Sequence, residues 1–88
     1  MSPSSFTFKL TVPNDPEGVV VVGVVATHTV EYAKLDAAAG AAFVGRVRDV
    51  ASLALKTADA PAVVVFAADN GQLTVTIAGH SVSQPLPA

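Results

Sequence analysis

The stretch VVVVGVVATHTVEYAK, residues 19 to 34, decides the fold because its secondary structure is ambiguous. Its valines favour a strand, and Gly23 weakens a helix. The apolar pattern nevertheless continues beyond the ordinary length of a strand and does not alternate. On a helical wheel, one face collects Val19, Val22, Ala26, Val30 and Ala33. Glu31 and Lys34 lie on another face. We therefore predict a helix over residues 17 to 35, with a buried strand as the alternative.

The segment before this helix alternates between apolar and polar residues. In FTFKLTV, residues 6 to 12, every second residue is apolar, which is the pattern of a half-buried strand. The turn PNDPEG then interrupts the pattern. Asn14 or Asp15 can cap the helix that follows, and Pro16 suits its first turn.

An alanine-rich run predicts a second helix from Ala37 to about Ala58, with Asp36 as its N-cap. Its apolar residues recur at spacings of three and four: Phe43, Val47, Val50, Ala54 and Ala58. Gly40 and Gly45 fall within this pattern and no strand precedes them. We therefore expect them to permit close helix packing rather than to form a phosphate-binding loop.

Two strands are predicted next, PAVVVFAA over residues 61 to 68 and QLTVTIAG over residues 72 to 79. Between them, DNG at residues 69 to 71 predicts a type I′ hairpin turn, because asparagine and glycine both accept positive φ. The predicted fold class is α+β. It is a two-layer α/β sandwich of β-α-α-β-β order, in which two helices lie on one face of an antiparallel sheet.

The chain of 88 residues allows one small domain, which we place at residues 6 to 80. The polar segment MSPSS predicts a disordered N-terminus over residues 1 to 5, and SVSQPLPA predicts a mobile tail over residues 81 to 88. A core this small leaves modest stability, so we expect self-association or a partner that buries more apolar surface.

The composition argues against several classes of function. The net charge is only −2, so the chain lacks an electrostatic footprint for nucleic acid or an acidic membrane. The absence of cysteine removes thiol catalysis and thiolate metal sites, and it fits a reducing compartment. The apolar run VVVVGVVA is too short to span a bilayer, and MSPSS lacks the features of a signal peptide. We expect a cytoplasmic protein that binds neither nucleic acid nor membrane.

The order of these strings resembles the anti-sigma-factor serine kinases of the histidine-kinase-like ATPase (GHKL) superfamily. The resemblance covers roughly residues 6 to 80. Its most specific part is the turn V-P-N-D-P at residues 12 to 16, where the family has a V-P-x-D-P-like turn. In the family, the second helix carries an acidic residue and, four residues later, a metal-binding asparagine. An acidic D-x-G motif follows the hairpin.

The nucleotide-site positions depart from that family. Asp49 stands at the acidic position, but Leu53 stands at the asparagine position and has no oxygen to offer magnesium. Ala78-Gly79-His80 stands where the D-x-G motif belongs and contains no carboxylate. The resemblance therefore implies a degenerate and truncated domain without a cofactor. Asp49 is at most a vestigial nucleotide position, and we expect no catalytic residue and no metal site.

The resemblance implies a non-catalytic regulatory module that controls transcription by binding a sigma factor or a STAS-type antagonist. One alternative is an ATP-dependent serine kinase of the same family. Another is a structural module that forms homodimers. For Asp49 itself, the simpler interpretation is a surface pair with Arg46, three residues back. We expect His28 and His80 to be surface residues.

Val20 and Val24 are the candidate interface residues. If residues 17 to 35 are helical, both valines lie outside the apolar stripe, on the face shared with Glu31 and Lys34. Exposed apolar surface of this kind marks an interface more often than an ordinary solvated helix face. We expect a second copy of the chain or another protein to cover them.

Overall fold

The computed structural model describes residues 5–86. The elements in chain order are β1 (Phe6–Val12), α1 (Pro16–Tyr32), α2 (Ala37–Lys56), β2 (Ala62–Asp69), β3 (Gln72–Ile77) and β4 (His80–Pro85). The predicted disorder at residues 1 to 5 falls almost entirely outside the described residues.

The α+β class predicted from the sequence is confirmed. The four strands form one antiparallel sheet in the order β1-β2-β3-β4, so each strand pairs with its neighbour in the chain. Both helices pack on the sheet face that carries Val64, Phe66 and Val75, all of which are fully buried. Within residues 5–86, no element covers the opposite face of the sheet or the outer faces of the helices.

The ambiguous valine-rich segment is a helix, so the alternative of a buried strand is wrong. Asp15 caps α1 by accepting a hydrogen bond from the Gly18 N–H at 3.2 Å, and Pro16 opens the first turn. Val22, Ala26 and the rest of the predicted apolar stripe face the core. The start of the helix and its inward face therefore agree with the sequence pattern.

The C-terminus of α1 differs from its prediction, because the helix ends at Tyr32 rather than at residue 35. Lys34 adopts a φ of 61°, and its N–H donates to the Glu31 carbonyl at 3.1 Å. The Leu35 N–H donates to the Val30 carbonyl, also at 3.1 Å, which completes a Schellman motif. Lys34 consequently lies beyond the helix and does not share a helical face with Val20 and Val24.

The second helix begins as predicted, with Asp36 accepting a hydrogen bond from the Ala39 N–H at 2.7 Å. Gly40 permits close approach of the two helices, because a Cβ at this position would lie 3.3 Å from Val30 Cγ2. Gly45 has no such role. A Cβ at Gly45 would point into open space and meet no atom within 4 Å, so the expectation of close packing there is wrong.

The predicted hairpin turn between β2 and β3 is confirmed. Asn70 and Gly71 have φ values of 52° and 76°, as a type I′ turn requires, and they connect the paired residues Asp69 and Gln72. A second two-residue turn follows β3 and is formed by Ala78 and Gly79, with φ values of 48° and 86°.

The prediction of a tail without structure after residue 80 is wrong for most of that segment. His80–Pro85 forms β4 and pairs with β3, and Val82 joins the buried core opposite Val75. The sequence pattern does not indicate this strand, because Val82 is its one strongly apolar residue and Pro85 marks its end. The folded domain therefore continues past the boundary predicted at residue 80.

Candidate protein interface

The exposed large hydrophobic residues in the described part of the chain concentrate on α1 and β1. Those on this side are Phe8, Val20, Val21, Val24 and Tyr32. Leu53 on α2 and Val63 on β2 stand apart from them. Most soluble proteins scatter such residues singly over the surface. The clustering makes the α1 and β1 side of the molecule the candidate site for a partner.

The outer face of α1 carries the two valines identified from the sequence. Val20 is 59% exposed and Val24 is 51% exposed, which agrees with their predicted place outside the apolar stripe. Residues four apart lie one above the other on a helix, so the two side chains form one continuous strip. The strip is bordered by the exposed carboxylates of Glu17 and Glu31. Their role in an interface stays a prediction.

Backbone packing fixes this face of α1 relative to the rest of the domain. A Cβ on Gly18 would collide with the carbonyl oxygen of Pro13, so the first turn lies directly against the preceding loop. A Cβ on Gly23 would lie 3.1 Å from Arg48 Cδ, because the arginine side chain extends across the helix at that point. The valine strip is therefore presented by a tightly packed element, which reduces the ordering cost of binding.

A second apolar surface lies on the other flank of α1, next to β1. A groove of about 230 Å³ is lined by Phe8, Val25, His28, Thr29 and Tyr32. The Phe8 ring stacks on Phe66 with 4.9 Å between centroids, and Tyr32 meets Phe6 edge-on at 5.4 Å. Phe8 nevertheless stays 40% exposed and Tyr32 60% exposed.

The sequence pattern does not single out Phe8 or Tyr32 as surface residues. Phe8 lies on the inward-facing side of β1, as the alternation predicts, but β1 is the edge of the sheet and nothing within the described residues covers its outer flank. Local periodicity does not reveal which strand is the edge. For Tyr32, the one sequence feature that could have indicated a binding surface is its position as an aromatic residue in the last turn of α1.

The residues at the positions of the family's nucleotide site do not form a ligand-binding site. Asp49 and Leu53 are both exposed on α2, and Leu53 is 61% exposed. Ala78 and Gly79 form the tight turn between β3 and β4, and His80 begins β4 with an exposed side chain. Within residues 5–86, no cluster of three or more His, Cys, Asp or Glu side chains could hold a metal ion.

Arg46 does not take the position predicted for it beside Asp49. Its guanidinium donates a hydrogen bond to Oε1 of Gln84 at 2.6 Å and lies 5.7 Å from the centre of the Phe43 ring. The cation is thus directed from α2 towards β4. His28, like His80, is a surface residue as expected.

A cleft of about 370 Å³ lies where the start of α1 meets the end of α2. Two of its polar residues have local structural partners: Asn14 Nδ2 donates to the Ala58 carbonyl at 2.8 Å, and Asp15 caps α1. The Asn14 bond joins the loop before α1 to the loop after α2. The cleft is therefore explained by the junction of two helix ends and carries no separate chemistry.

The sheet face opposite the helices carries cross-strand hydroxyl pairs on β3 and β4, next to Val63, Val65 and Ala67 of β2. The hydroxyls of Thr74 and Ser83 are 3.1 Å apart, and those of Thr76 and Ser81 are 3.2 Å apart. Such cross-strand pairs suit a face in contact with water. This face is therefore a weaker candidate for a partner interface than the α1 and β1 side.

Comparison of the chain with protein-family models, with curated proteins and with solved structures gives no match in any of the three. The resemblance to the anti-sigma-factor kinases therefore rests on the residues of the chain alone. Neither of the two helices within residues 5–86 is both long enough and apolar enough to cross a membrane.

Proposed function

We propose that this chain is a non-catalytic protein-interaction module that binds a regulatory partner through the outer face of α1. The observation that carries the proposal is the exposure of Val20 and Val24, at 59% and 51%, on a helix whose opposite face is fully packed. Because each valine is already about half buried, covering the rest of its side chain contributes roughly 1 kcal/mol. A partner that covers the strip therefore gains binding free energy without any rearrangement of the domain.

The partner we propose is a sigma factor or a STAS-type antagonist, and the setting is transcription regulation in the cytoplasm. The support is the resemblance to anti-sigma-factor kinases, in which a turn like that at residues 12 to 16, two successive helices and a hairpin occur in the same order. Contact with such a partner depends on surface side chains, so it can persist in a domain that has lost the nucleotide ligands.

The alternative of an ATP-dependent serine kinase has less support. It requires a magnesium ligand where Leu53 stands, and a hydrocarbon side chain offers none. It also requires a carboxylate where Ala78 stands. Ala78 instead lies in a two-residue turn that leads directly into β4. The alternative of a homodimer module is supported by a different surface, the free edge of β1.

The proposal is tested by measuring binding to sigma factors and STAS-type proteins encoded by the same genome, with isothermal titration calorimetry. Val24→Lys is the test variant, and Val63→Lys is the matched control because Val63 is 52% exposed on the far face of the sheet. We expect one candidate to bind the wild-type chain and Val63→Lys equally. Val24→Lys should weaken that binding about tenfold or more, as expected for a central interface position. Equal loss in both variants, or no binding by any candidate, would contradict the proposal.

A further inference from the structure

We propose that two copies of the chain associate by antiparallel pairing of their β1 strands, which joins the two sheets into one. β1 pairs only with β2 and forms one edge of the sheet. Its backbone N–H and C=O groups that point away from β2 have no strand partner within the described residues. An exposed edge of this kind is a template for another strand. The proposal goes beyond the proposed function because it uses a different flank of α1.

The two edges of the sheet differ in how well they are protected. β4 ends in Pro85, which lacks a backbone N–H and discourages pairing with another strand, and its other exposed residues are His80, Ser81 and Ser83. β1 has seven residues, no proline and a single charged residue, Lys9. β1 is therefore the edge better suited to accept a further strand.

The sequence of β1 restricts the registers in which it can pair with its own copy. A two-fold axis perpendicular to the sheet keeps all helices on one face and places one residue opposite itself. An axis at Lys9 would place two ammonium groups directly opposite each other, which is destabilising. An axis at Phe8 places Phe8 opposite its copy, Phe6 opposite Leu10 and Thr7 opposite Lys9. Within the described residues, an axis at Thr7 pairs only Ser5 to Lys9. An axis at Leu10 also avoids like charges, but it places Phe8 opposite Val12 and Phe6 opposite Asn14, beyond the strand.

The Phe8 register also covers the apolar surface that the monomer leaves open. The inward-facing pairs at the seam are then aromatic or aliphatic, and the groove beside Phe8 and Tyr32 meets its symmetry copy. No two like charges of β1 face each other, since each Lys9 lies opposite Thr7. The β1 edge is thus complementary to itself in both its apolar pattern and its charge. This self-complementarity indicates a second copy of the chain as the partner.

Of the two valines on the outer α1 face, Val20 lies farther from this seam. Val20 is three residues before Gly23, whose surface meets Arg48 of α2, whereas Val25 and Tyr32 face the β1 groove. Val20 therefore leans towards α2 and away from the β1 edge. Val24 lies four residues before His28, which lines the β1 groove, so Val20 is the position that separates the two associations by experiment.

The register is tested by analytical ultracentrifugation of the wild-type chain and two pairs of charge variants. Thr7 and Thr11 both lie two residues from Lys9 on the same face of β1. Within one chain, a charge introduced at Thr7 or at Thr11 is therefore equally far along the strand from the Lys9 ammonium group. Across the Phe8-centred seam only Thr7 meets Lys9 of the second copy, because Thr11 lies opposite Ser5.

We expect the wild-type chain to form a concentration-dependent dimer. Relative to the wild-type chain, Thr7→Glu should tighten the dimer and Thr7→Lys should weaken it, each by about two- to thirtyfold through two symmetric contacts. Thr11→Glu and Thr11→Lys should differ little from each other. Equal dissociation constants for the two Thr7 variants overturn this register, and a wild-type chain that is monomeric up to millimolar concentration overturns the dimer.

Hydrogen exchange on the wild-type chain gives a second readout that does not depend on any variant. Backbone amides of β1 that point away from β2 should exchange more slowly as the chain concentration rises, because dimer formation gives them partners. Amides of β4, the other edge, should keep the same exchange rates. Concentration-independent exchange throughout β1 would overturn the proposal, and protection confined to β4 would do the same.

Discussion

Arg46 of α2 and Gln84 of β4 are joined by a side-chain hydrogen bond of 2.6 Å, 38 positions apart in the chain. The bond lies at the surface, above the buried Val82, and it connects the second helix to the last strand. The sequence pattern predicts this contact for neither partner, because it places Arg46 in an ion pair with Asp49 and Gln84 in a mobile tail. We therefore expect the packing of β4 against α2 to contribute to the free energy of unfolding.

Val82→Ala should lower the free energy of unfolding by about 2 kcal/mol. Val82 is buried against the core, and its truncation removes two carbon atoms and leaves a small cavity. Ser83→Ala is the comparison variant: Ser83 is exposed on the opposite face of the same strand, and the change removes only its hydroxyl pair with Thr74, so it should cost about 0.2–1 kcal/mol. Urea unfolding followed by circular dichroism measures both values. If Val82→Ala matched the comparison variant, residues beyond 80 would not belong to the folded domain.

Much of the fold could be predicted from local sequence because the decisive signals are local. The alternation of Phe6–Val12, the caps at Asp15 and Asp36 and the Asn70-Gly71 turn each act within a few residues. β4 could not be predicted in the same way, because one buried valine gives no periodicity. Its stability depends on pairing with β3 and on cover from α2, which are non-local contacts.

The candidate site was partly predictable for a related reason. The wheel position of Val20 and Val24 depends only on the helix, so their exposure followed from the pattern. The exposure of Phe8 depends on the position of β1 at the edge of the sheet, which the strand's own residues do not encode. The same holds for Tyr32, whose neighbours across the groove come from β1.

Lys34→Gly should raise the free energy of unfolding by about 0.5–1 kcal/mol. Lys34 has a φ of 61°, which strains any residue with a Cβ and which glycine adopts freely. The expected gain is the strain energy relieved at residue 34 minus the free-energy cost of ordering glycine, which has more conformational entropy in the unfolded chain.

Ala33→Gly is the matched control for this prediction. Ala33 precedes Lys34 with an ordinary φ of −79°, so glycine brings the entropy loss without any relief. Ala33 is also buried, so Ala33→Gly loses a buried methyl group as well and should lower the free energy of unfolding by about 1–2 kcal/mol. Chemical denaturation of both variants should give shifts of opposite sign, and shifts of the same sign would show that the left-handed Lys34 is not strained.

Mg-ATP should leave the melting temperature of the chain unchanged. The reasons are Leu53 at the position of a magnesium ligand and Ala78 at the position of a carboxylate. A ligand present at a hundred times its dissociation constant would stabilise the folded state by about 2.7 kcal/mol, which a thermal-shift assay detects readily. Magnesium chloride alone is the control. A saturable rise that requires both magnesium and ATP would favour the kinase alternative.

The double variant Val20→Glu, Val24→Lys should keep the domain folded while removing partner binding. Both side chains are more than half exposed, and glutamate and lysine have higher helix propensities than valine. Glutamate four residues before lysine adds a favourable pair of about 0.2–0.5 kcal/mol, so the melting temperature should not fall. Circular dichroism and calorimetry with the identified partner measure the two effects. Sedimentation of the single variant Val20→Glu should show an unchanged dimer, because Val20 leans towards α2 and away from the β1 seam. Unfolding of the double variant would mean that the valines belong to the core, and unchanged partner binding would place the partner on another surface.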